Sequence, residues 1–249
     1  MTSDRPVPTH AVLGRFLLDG DPVRGDPQHL AAWWRGAVAS IFRTETAFHG
    51  HDGDRTVARY PEVHYRWVDG GPTLFATGPA AHLAMAHPWP GASVRIGEQQ
   101  RRVVQVDWSV SAIQRSFSRR LVRYELGAPW LALNQENHAR YRTLSVDARR
   151  AELDRILVGN LLTMSKGFGW FYANDETVYA AFEPAREVHC EVKEVSLIGF
   201  EGSFVSNLDL PDDLAVGRSV SLGFGWFRRA SGGRIRVGRL EAEVHDGAA

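Results

Sequence analysis

The sequence predicts an α+β fold made of two tandem ferredoxin-like units. Its 249 residues exceed the usual domain size of roughly 100 to 150 residues, so they suffice for two domains. A hydrophobic fraction of 44% with 23% charged residues is typical of globular chains. Each half also shows the same order of predicted elements, namely strand, helix, strand, strand, short helix, strand. We therefore expect one unit in residues 1–115 and the other in residues 116–249.

The first half begins with an apolar strand and an amphipathic helix. Ala11–Leu18 has the apolar content of a strand, and Asp26 followed by Pro27 is typical of a helix start. The apolar residues that share one face of the predicted helix 27–43 are Leu30, Trp34, Val38 and Ile41. The later predicted elements of this half are strands 63–68 and 73–76 around an Asp69-Gly70-Gly71 turn, a short helix 79–87 and a strand pair within 94–108.

The second half repeats this order with a longer helix. A strand is predicted over 121–133, and a helix over 145–166 that ends before Gly167 and Gly169. The apolar face of this helix contains Leu153, Ile156, Leu157, Leu161 and Met164. Polar and apolar residues alternate over 188–192 and again over 200–204, which predicts further strands.

The composition argues against several classes of protein. Cys190 is the single cysteine, which excludes an intrachain disulfide and a cysteine-based metal cluster. No window approaches the ~20 continuous apolar residues of a membrane span, so no membrane partner is expected. The first residues lack the cationic and then apolar pattern of a secretion signal, and we therefore expect a cytoplasmic protein.

The positive charge is unevenly distributed although the net charge is zero. Residues 214–240 contain six arginines and no acidic residue, and residues 99–123 contain six arginines and one acid, Asp107. The arginines of the first stretch are Arg218, Arg228, Arg229, Arg234, Arg236 and Arg239, and those of the second are Arg101, Arg102, Arg115, Arg119, Arg120 and Arg123. The guanidinium group suits phosphate binding, so these clusters either contact an anionic partner or form solvated faces.

A pair of histidines, His49 and His51, lies in a polar segment rich in turn residues. On an extended backbone, positions i and i+2 share a face, so the two rings could bracket one phosphate. Imidazole titrates near neutral pH, so one ring could accept a proton while the other donates one. Two alternatives stay open from the motif alone, namely a solvated loop and a metal site completed by Asp52 and Asp54.

A glycine-rich loop, Gly217 to Gly225, opens the acid-free arginine stretch. Its glycines permit close approach of backbone amides to a phosphate chain, and it lacks the Gly-Lys-Ser/Thr ending of a nucleotide-triphosphate loop. The residues of this loop that could bind phosphate are Gly217, Arg218, Ser219, Ser221, Gly223 and Gly225. Lys166 stands beside Gly167 at the predicted helix end, where it either binds an anion or serves as a cationic last turn.

Taken together, these segments resemble the repeat-processing endoribonucleases of CRISPR systems, the sixth Cas protein family, subgroup b, of the RAMP superfamily. The segments that carry the resemblance are Arg35-Gly36-Ala37, Phe48 to His51, Arg59 to Tyr65, Gly159 to Gly167, Gly199 to Gly202 and Gly217 to Gly225. They occur in this order over roughly residues 10–230, and the histidine pair together with the C-terminal loop makes the match specific.

The resemblance implies two ferredoxin-like domains of the RNA-recognition type and cleavage within CRISPR repeat RNA without a metal or other cofactor. In that family the ribose 2′-hydroxyl attacks the scissile phosphate and leaves a 2′,3′-cyclic phosphate and a 5′-hydroxyl. Carried over by position, the catalytic residues are His49, His51 and Tyr60. The implied RNA-binding residues are Lys166, Gly217, Arg218, Ser219, Ser221, Gly223, Gly225, Arg228 and Arg229.

Three further expectations accompany this resemblance. The implied partner is the repeat RNA, and other Cas proteins of an effector complex or a second copy of the chain stay open as partners. One alternative function is a non-catalytic RNA-binding subunit of such a complex. The other is a metal-dependent hydrolase built on His49 and His51. Tyr60 is open to a structural interpretation as a core residue at a strand edge.

Overall fold

The computed structural model describes residues 10–49, 51–52, 55–56, 60–114, 116–192 and 194–231, with only the backbone described at residues 51, 52, 55, 56 and 135. The first half forms an antiparallel sheet of order β4-β5-β1-β7-β6. Its elements are β1 His10–Leu18, α1 Pro27–Ile41, α2 Thr46–His49, β2 His51–Asp52, β3 Arg55–Thr56, β4 Val63–Val68, β5 Gly71–Thr77, α3 Gly78–Ala86, β6 Ser93–Ile96 and β7 Gln99–Ala112.

The second half forms a second antiparallel sheet, of order β11-β8-β10-β9. Its elements are β8 Phe117–Leu126, α4 Gln135–Thr143, α5 Val146–Gly167, β9 Ala180–Val192, β10 Val195–Leu208, a 3-10 helix Val220–Leu222 and β11 Phe227–Arg229. In the first sheet β1 lies between β5 and β7, and in the second sheet β8 lies between β10 and β11. This central position of the first strand is the strand order of a ferredoxin-like unit. The predicted fold class is confirmed.

Helix α1 forms where the sequence predicts it. Asp26 caps its start by accepting a hydrogen bond from the His29 amide at 2.9 Å. Leu30, Trp34 and Val38 are buried against the sheet, and the Trp34 indole donates to the Thr73 carbonyl at 3.0 Å. The opposite face of α1 points away from the sheet and lines a cleft.

Strand β4 is buried on both faces although it alternates in polarity. Val63 and Tyr65 point into the core beneath α1, as the alternation predicts. His64 and Arg66 point the other way and are also buried, because the second half of the chain covers that face of the sheet. The hydrophobic core of the second half extends to Phe75 of the first sheet, so the halves share packed surface.

The second half departs from the predicted element order in two places. The strand predicted over 121–133 ends at Leu126. Pro129 has no amide to donate to a neighbouring strand, and beyond Leu126 this segment pairs with β10 only through the bridge between Trp130 and Phe200. A separate helix, α4, precedes α5, and it is polar enough that its apolar periodicity is weak. Helix α5 itself agrees with the prediction, starting after the Ser145 cap. Within the described residues, no helix has the length and apolarity that a membrane crossing requires.

Candidate active site

The short helix α2 positions His49 as its last residue. Phe48 is buried and stacks on Phe42 with ring centroids 4.0 Å apart, which fixes the helix against the core. The last two carbonyls of α2 accept hydrogen bonds from other elements. Tyr65 donates to the Phe48 carbonyl at 2.6 Å, and Arg35 donates to the His49 carbonyl at 2.7 Å. His49 is therefore held from both β4 and α1.

His49 faces a cleft of about 980 Å³ between the two halves of the chain. One wall is the outer face of α1, which carries His29, Arg35 and Gly36. The other wall is formed by the β9–β10 hairpin, including His189, and by the glycine-rich loop. The Nε2 atom of His49 is buried and has no hydrogen-bond partner among the described residues. His49 thus lines the cleft, while its Nε2 atom is shielded from solvent.

The two walls of the cleft differ in charge. The wall from α1 and α2 carries the guanidinium of Arg35 and the imidazole rings of His29 and His49, with Asp26 as its one carboxylate among the lining residues. The wall from the second half carries the carboxylates of Glu191, Glu194 and Glu201. An anionic ligand is therefore favoured on the side of α1, close to His49.

The second predicted histidine, His51, lies in the two-residue strand β2, which pairs with β3. Its side chain and that of Asp52 lie outside the described residues, as does Asp54 entirely. The geometry of the histidine pair and the alternative metal site thus stay predictions. Among the side chains that are described, no group of three His, Cys, Asp or Glu could hold a metal ion.

The structure places Tyr60 between the halves rather than on the cleft wall. Its hydroxyl donates to the Ala215 carbonyl at 2.8 Å and accepts from the Ala215 amide at 3.3 Å. The ring packs edge-on against His64 and Phe168. Burial raises the pKa of Tyr60 above its ordinary value. These contacts support the structural interpretation of Tyr60, since its hydroxyl is already engaged by backbone.

The three predicted glycines of the loop approach other parts of the protein. Gly217, Gly223 and Gly225 have φ values of 91°, 85° and 63°, which favour glycine. A Cβ on Gly223 would lie 2.9 Å from the Tyr65 carbonyl oxygen, and one on Gly217 would lie 2.5 Å from the Trp130 ring. The 3-10 helix in this loop contacts both α1 and β4. The loop, which belongs to the second half, therefore packs against two elements of the first half.

The remaining predicted phosphate ligands of the loop lie near its base. Arg218 donates to the Leu133 carbonyl at 3.2 Å, and Ser219 and Ser221 are half-buried. Lys166 is exposed in the last turn of α5, and the neighbouring Gly167 packs against Tyr60.

The two described arginines after the loop, Arg228 and Arg229, are paired with acids that precede it. Arg228 lies 3.1 Å from Asp213, and the same carboxylate accepts from the fully buried Arg66 at 3.1 Å. Arg229 forms an ion pair with Asp209. Burial lowers the pKa of Arg66 to about 10, and attraction by Asp213 opposes that shift. The stretch that is free of acids in sequence is thus not free of acids in space.

Three groups of the cleft, namely His29, Arg35 and His189, were not predicted as site residues, although Arg35 stands in a segment that resembles the family. His29 and Arg35 lie on the face of α1 opposite the apolar stripe, and Trp33 between them packs edge-on against the His29 ring. His189 comes from the other half of the chain. The resemblance segment Arg35-Gly36-Ala37 could have indicated Arg35, and the polar face of α1 could have indicated His29.

Comparison with known proteins agrees with this architecture. The model of the Cas6b N-terminal domain matches residues 25–112, and the model of the Cas6b C-terminal domain matches residues 116–230. An uncharacterized protein of Methanocaldococcus jannaschii is 37% identical over 105 residues, which are 42% of this chain and 70% of that protein.

Solved structures give the same result for the fold. A crystal structure of Cas6b is 24% identical with a TM-score of 0.75, covering 89% of this chain and 100% of that one. A crystal structure of the CRISPR RNA processing endoribonuclease Cas6b is 22% identical with a TM-score of 0.66 over the same shares. An RAMP protein binding different RNA substrates is 12% identical with a TM-score of 0.53, again covering 89% of this chain and 100% of that one. The two family models together span most of the sequence, and the chain belongs to the Cas6b family.

Proposed function

We propose that the chain is an endoribonuclease that cleaves CRISPR repeat RNA in the cleft at His49. Family membership supports this activity, and so do the solved relatives named as a CRISPR RNA processing endoribonuclease and as an RNA-binding RAMP protein. The observation that carries the proposal is that His49 lines a cleft of about 980 Å³ between the halves, where the side chain of Arg35 also lies. The division into units of residues 1–115 and 116–249 is part of the proposal, since β7 belongs to the first sheet and β8 to the second.

The proposed reaction is an internal transesterification. The 2′-hydroxyl oxygen forms a bond to phosphorus while the bond from phosphorus to the 5′-oxygen breaks. One imidazole of the pair His49 and His51 takes the proton of the 2′-hydroxyl, and the other gives a proton to the leaving 5′-oxygen. The products are a 2′,3′-cyclic phosphate and a 5′-hydroxyl, and the step consumes neither a metal nor a cofactor.

The charged groups of the cleft fit this assignment. A phosphate on the α1 side lies near Arg35, whose positive charge stabilises the additional negative charge that develops in the transition state. The carboxylates of the facing wall disfavour a second phosphate there, so the RNA follows α1. Contacts of the RNA with Lys166, Arg218, Arg228 and Arg229 are part of the proposal. Assembly with other Cas proteins or with a second copy is compatible with it.

The proposal is tested by single-turnover cleavage of the repeat RNA encoded beside the gene. His49→Ala and His51→Ala are each expected to slow cleavage by about 10² to 10⁴-fold, the usual contribution of a general acid or base, with RNA affinity nearly unchanged. His82→Ala is the control, since His82 is exposed on α3 and does not line the cleft. Cleavage at the wild-type rate by both cleft variants would remove the site.

A further inference from the structure

We propose that Tyr65 and Arg35 are positioning residues that hold His49 in its reactive place by anchoring the end of α2. This inference rests on the proposed function and adds two residues to it. The observation behind it is the pair of hydrogen bonds to consecutive carbonyls, at 2.6 Å from Tyr65 and 2.7 Å from Arg35.

Helix α2 cannot hold its own shape. It has four residues, and the last carbonyls of any helix lack partners within that helix. Isolated helices shorter than roughly 12 residues are marginal in water, so α2 depends on its surroundings. Because the Phe48 and His49 carbonyls are bound by side chains of β4 and α1, the direction of the His49 side chain is set by those two elements.

Tyr65 can affect catalysis only through the protein. It is 1% exposed, so RNA cannot reach it. Burial raises the pKa of its hydroxyl above the ordinary value, so the group stays protonated and continues to donate throughout the neutral range. Loss of this one hydroxyl frees the Phe48 carbonyl while the aromatic ring still fills its place in the core.

Arg35 adds a second anchor with a different geometry. One Nη of its guanidinium binds the His49 carbonyl, and the side chain is half-buried on the cleft wall. A guanidinium is a rigid planar fork, whereas a lysine ammonium is a point charge on a flexible stem. Arg35→Lys therefore keeps the charge of the cleft and weakens the anchor.

The test compares Tyr65→Phe with Tyr124→Phe. Tyr124 is the control, because it is also fully buried and its hydroxyl, away from the cleft, donates to the Leu208 carbonyl at 2.9 Å and accepts from the Leu210 amide at 2.7 Å. We expect Tyr65→Phe to lower the single-turnover rate at saturating protein by about tenfold or more, since displacement of a catalytic group by ~1 Å can cost about 10²-fold. The protein concentration for half-maximal rate should change little. Tyr124→Phe should leave both unchanged although it removes two hydrogen bonds and lowers the melting temperature at least as much.

A double variant separates positioning from general weakening of the fold. If Tyr65 acts through His49, then Tyr65→Phe must have no further effect on the rate of His49→Ala. An equal fall in both backgrounds would overturn the proposal. Failure of the proposed function looks different, because in that case His49→Ala itself would cleave at the wild-type rate.

A spectroscopic measurement covers the case of poor folding. The imidazole signals of isotope-labelled His49 report its surroundings directly, without any cleavage. We expect them to shift and broaden in Tyr65→Phe and in Arg35→Lys and to stay unchanged in Tyr124→Phe. Unchanged His49 signals in both anchor variants would contradict the inference.

Discussion

At the scale of single residues, His64 shows how burial changes the protonation of a histidine. Its ring is fully buried and stacks on Phe75, and its Nε2 lies 3.2 Å from the Pro61 carbonyl. Burial, reinforced by the charge of Arg66, lowers the pKa of His64 to about 3. The ring is therefore neutral at the pH of any cleavage assay, and it binds the carbonyl as the neutral tautomer with a proton on Nε2.

The lowered pKa of His64 predicts a loss of stability in acid. Between pH 6.5 and about 3 the unfolded chain carries a proton on this ring and the folded chain does not. The contribution of His64 to the free energy of unfolding is therefore fully present above pH 6.5. It decreases as the pH is lowered, by up to about 1.4 kcal/mol for each pH unit. Melting temperature against pH should be less steep for His64→Gln than for wild type or for His82→Gln. Equal slopes in all three would show that His64 is not responsible.

Only those residues of the candidate site that stand together in one segment of the sequence could be predicted. His49 stands out in sequence because the surrounding segment is polar and rich in turn residues. His189 does not, since it reaches the cleft from the other half of the chain. Tyr60 could be aligned with a family position, but its bond to Ala215 depends on a contact across 155 residues of sequence separation. Local pattern carries no information on such contacts.

At the scale of elements, the glycine-rich loop acts as a connection between the halves. A substitution of Gly223 in this loop is strained for two reasons. Its φ is 85°, and a new Cβ would lie 2.9 Å from the Tyr65 carbonyl oxygen. Gly70 has a similar φ of 80° but no atom within 4 Å of a new Cβ. The two positions thus separate backbone strain from close packing.

We expect Gly223→Ala to be less stable than Gly70→Ala. The left-handed conformation alone costs roughly 1 to 2 kcal/mol for a residue with a Cβ, and it applies to both variants. The contact with the Tyr65 carbonyl adds the cost of overpacking, about 1 to 3 kcal/mol, at Gly223 only. Urea unfolding measures the difference. Equal losses would mean that the loop moves away from β4 without cost.

The elements themselves were largely predictable, with two physical exceptions. Periodicity and capping residues identify α1, α5 and the β4–β5 hairpin, whose turn residues Asp69 and Gly70 both have positive φ. Residues 128–133 are apolar and buried except for the half-buried Pro129, and apolar content alone does not distinguish a strand from an irregular buried segment. Helix α4 has no apolar stripe, because it is mostly polar.

At the scale of the whole molecule, Asp213 ties the halves together. Its carboxylate accepts from Arg66 of the first sheet and from Arg228 of the second. Arg66 is 2% exposed, and its guanidinium lies over the Trp226 ring at 5.1 Å from the centroid. This contact could not be predicted from the sequence, because Asp213 and Arg66 are 147 residues apart. Asp213 also stands immediately before the stretch that has no acidic residue.

Removal of the Asp213 charge is expected to weaken the whole molecule. Asp213→Asn leaves Arg66 buried with its charge uncompensated, a change that typically costs about 3 to 5 kcal/mol. Asp209→Asn is the matched control, because the Arg229–Asp209 pair is half-exposed and such pairs contribute only about 0 to 1 kcal/mol. Calorimetry of both variants measures the contrast. A loss for Asp213→Asn no larger than for Asp209→Asn would contradict the tie.

The central claim, that the cleft at His49 cleaves RNA with the ribose hydroxyl as nucleophile and without a metal, is tested by one cleavage assay. Wild-type protein is incubated in EDTA with the repeat RNA and with the same RNA carrying a single 2′-deoxy nucleotide just upstream of the cut. We predict that the unmodified RNA is cleaved to a 2′,3′-cyclic phosphate and a 5′-hydroxyl, and that the deoxy RNA stays intact. Cleavage of the deoxy RNA, or inhibition by EDTA that zinc or manganese reverses, would contradict the account and favour a metal-dependent hydrolase.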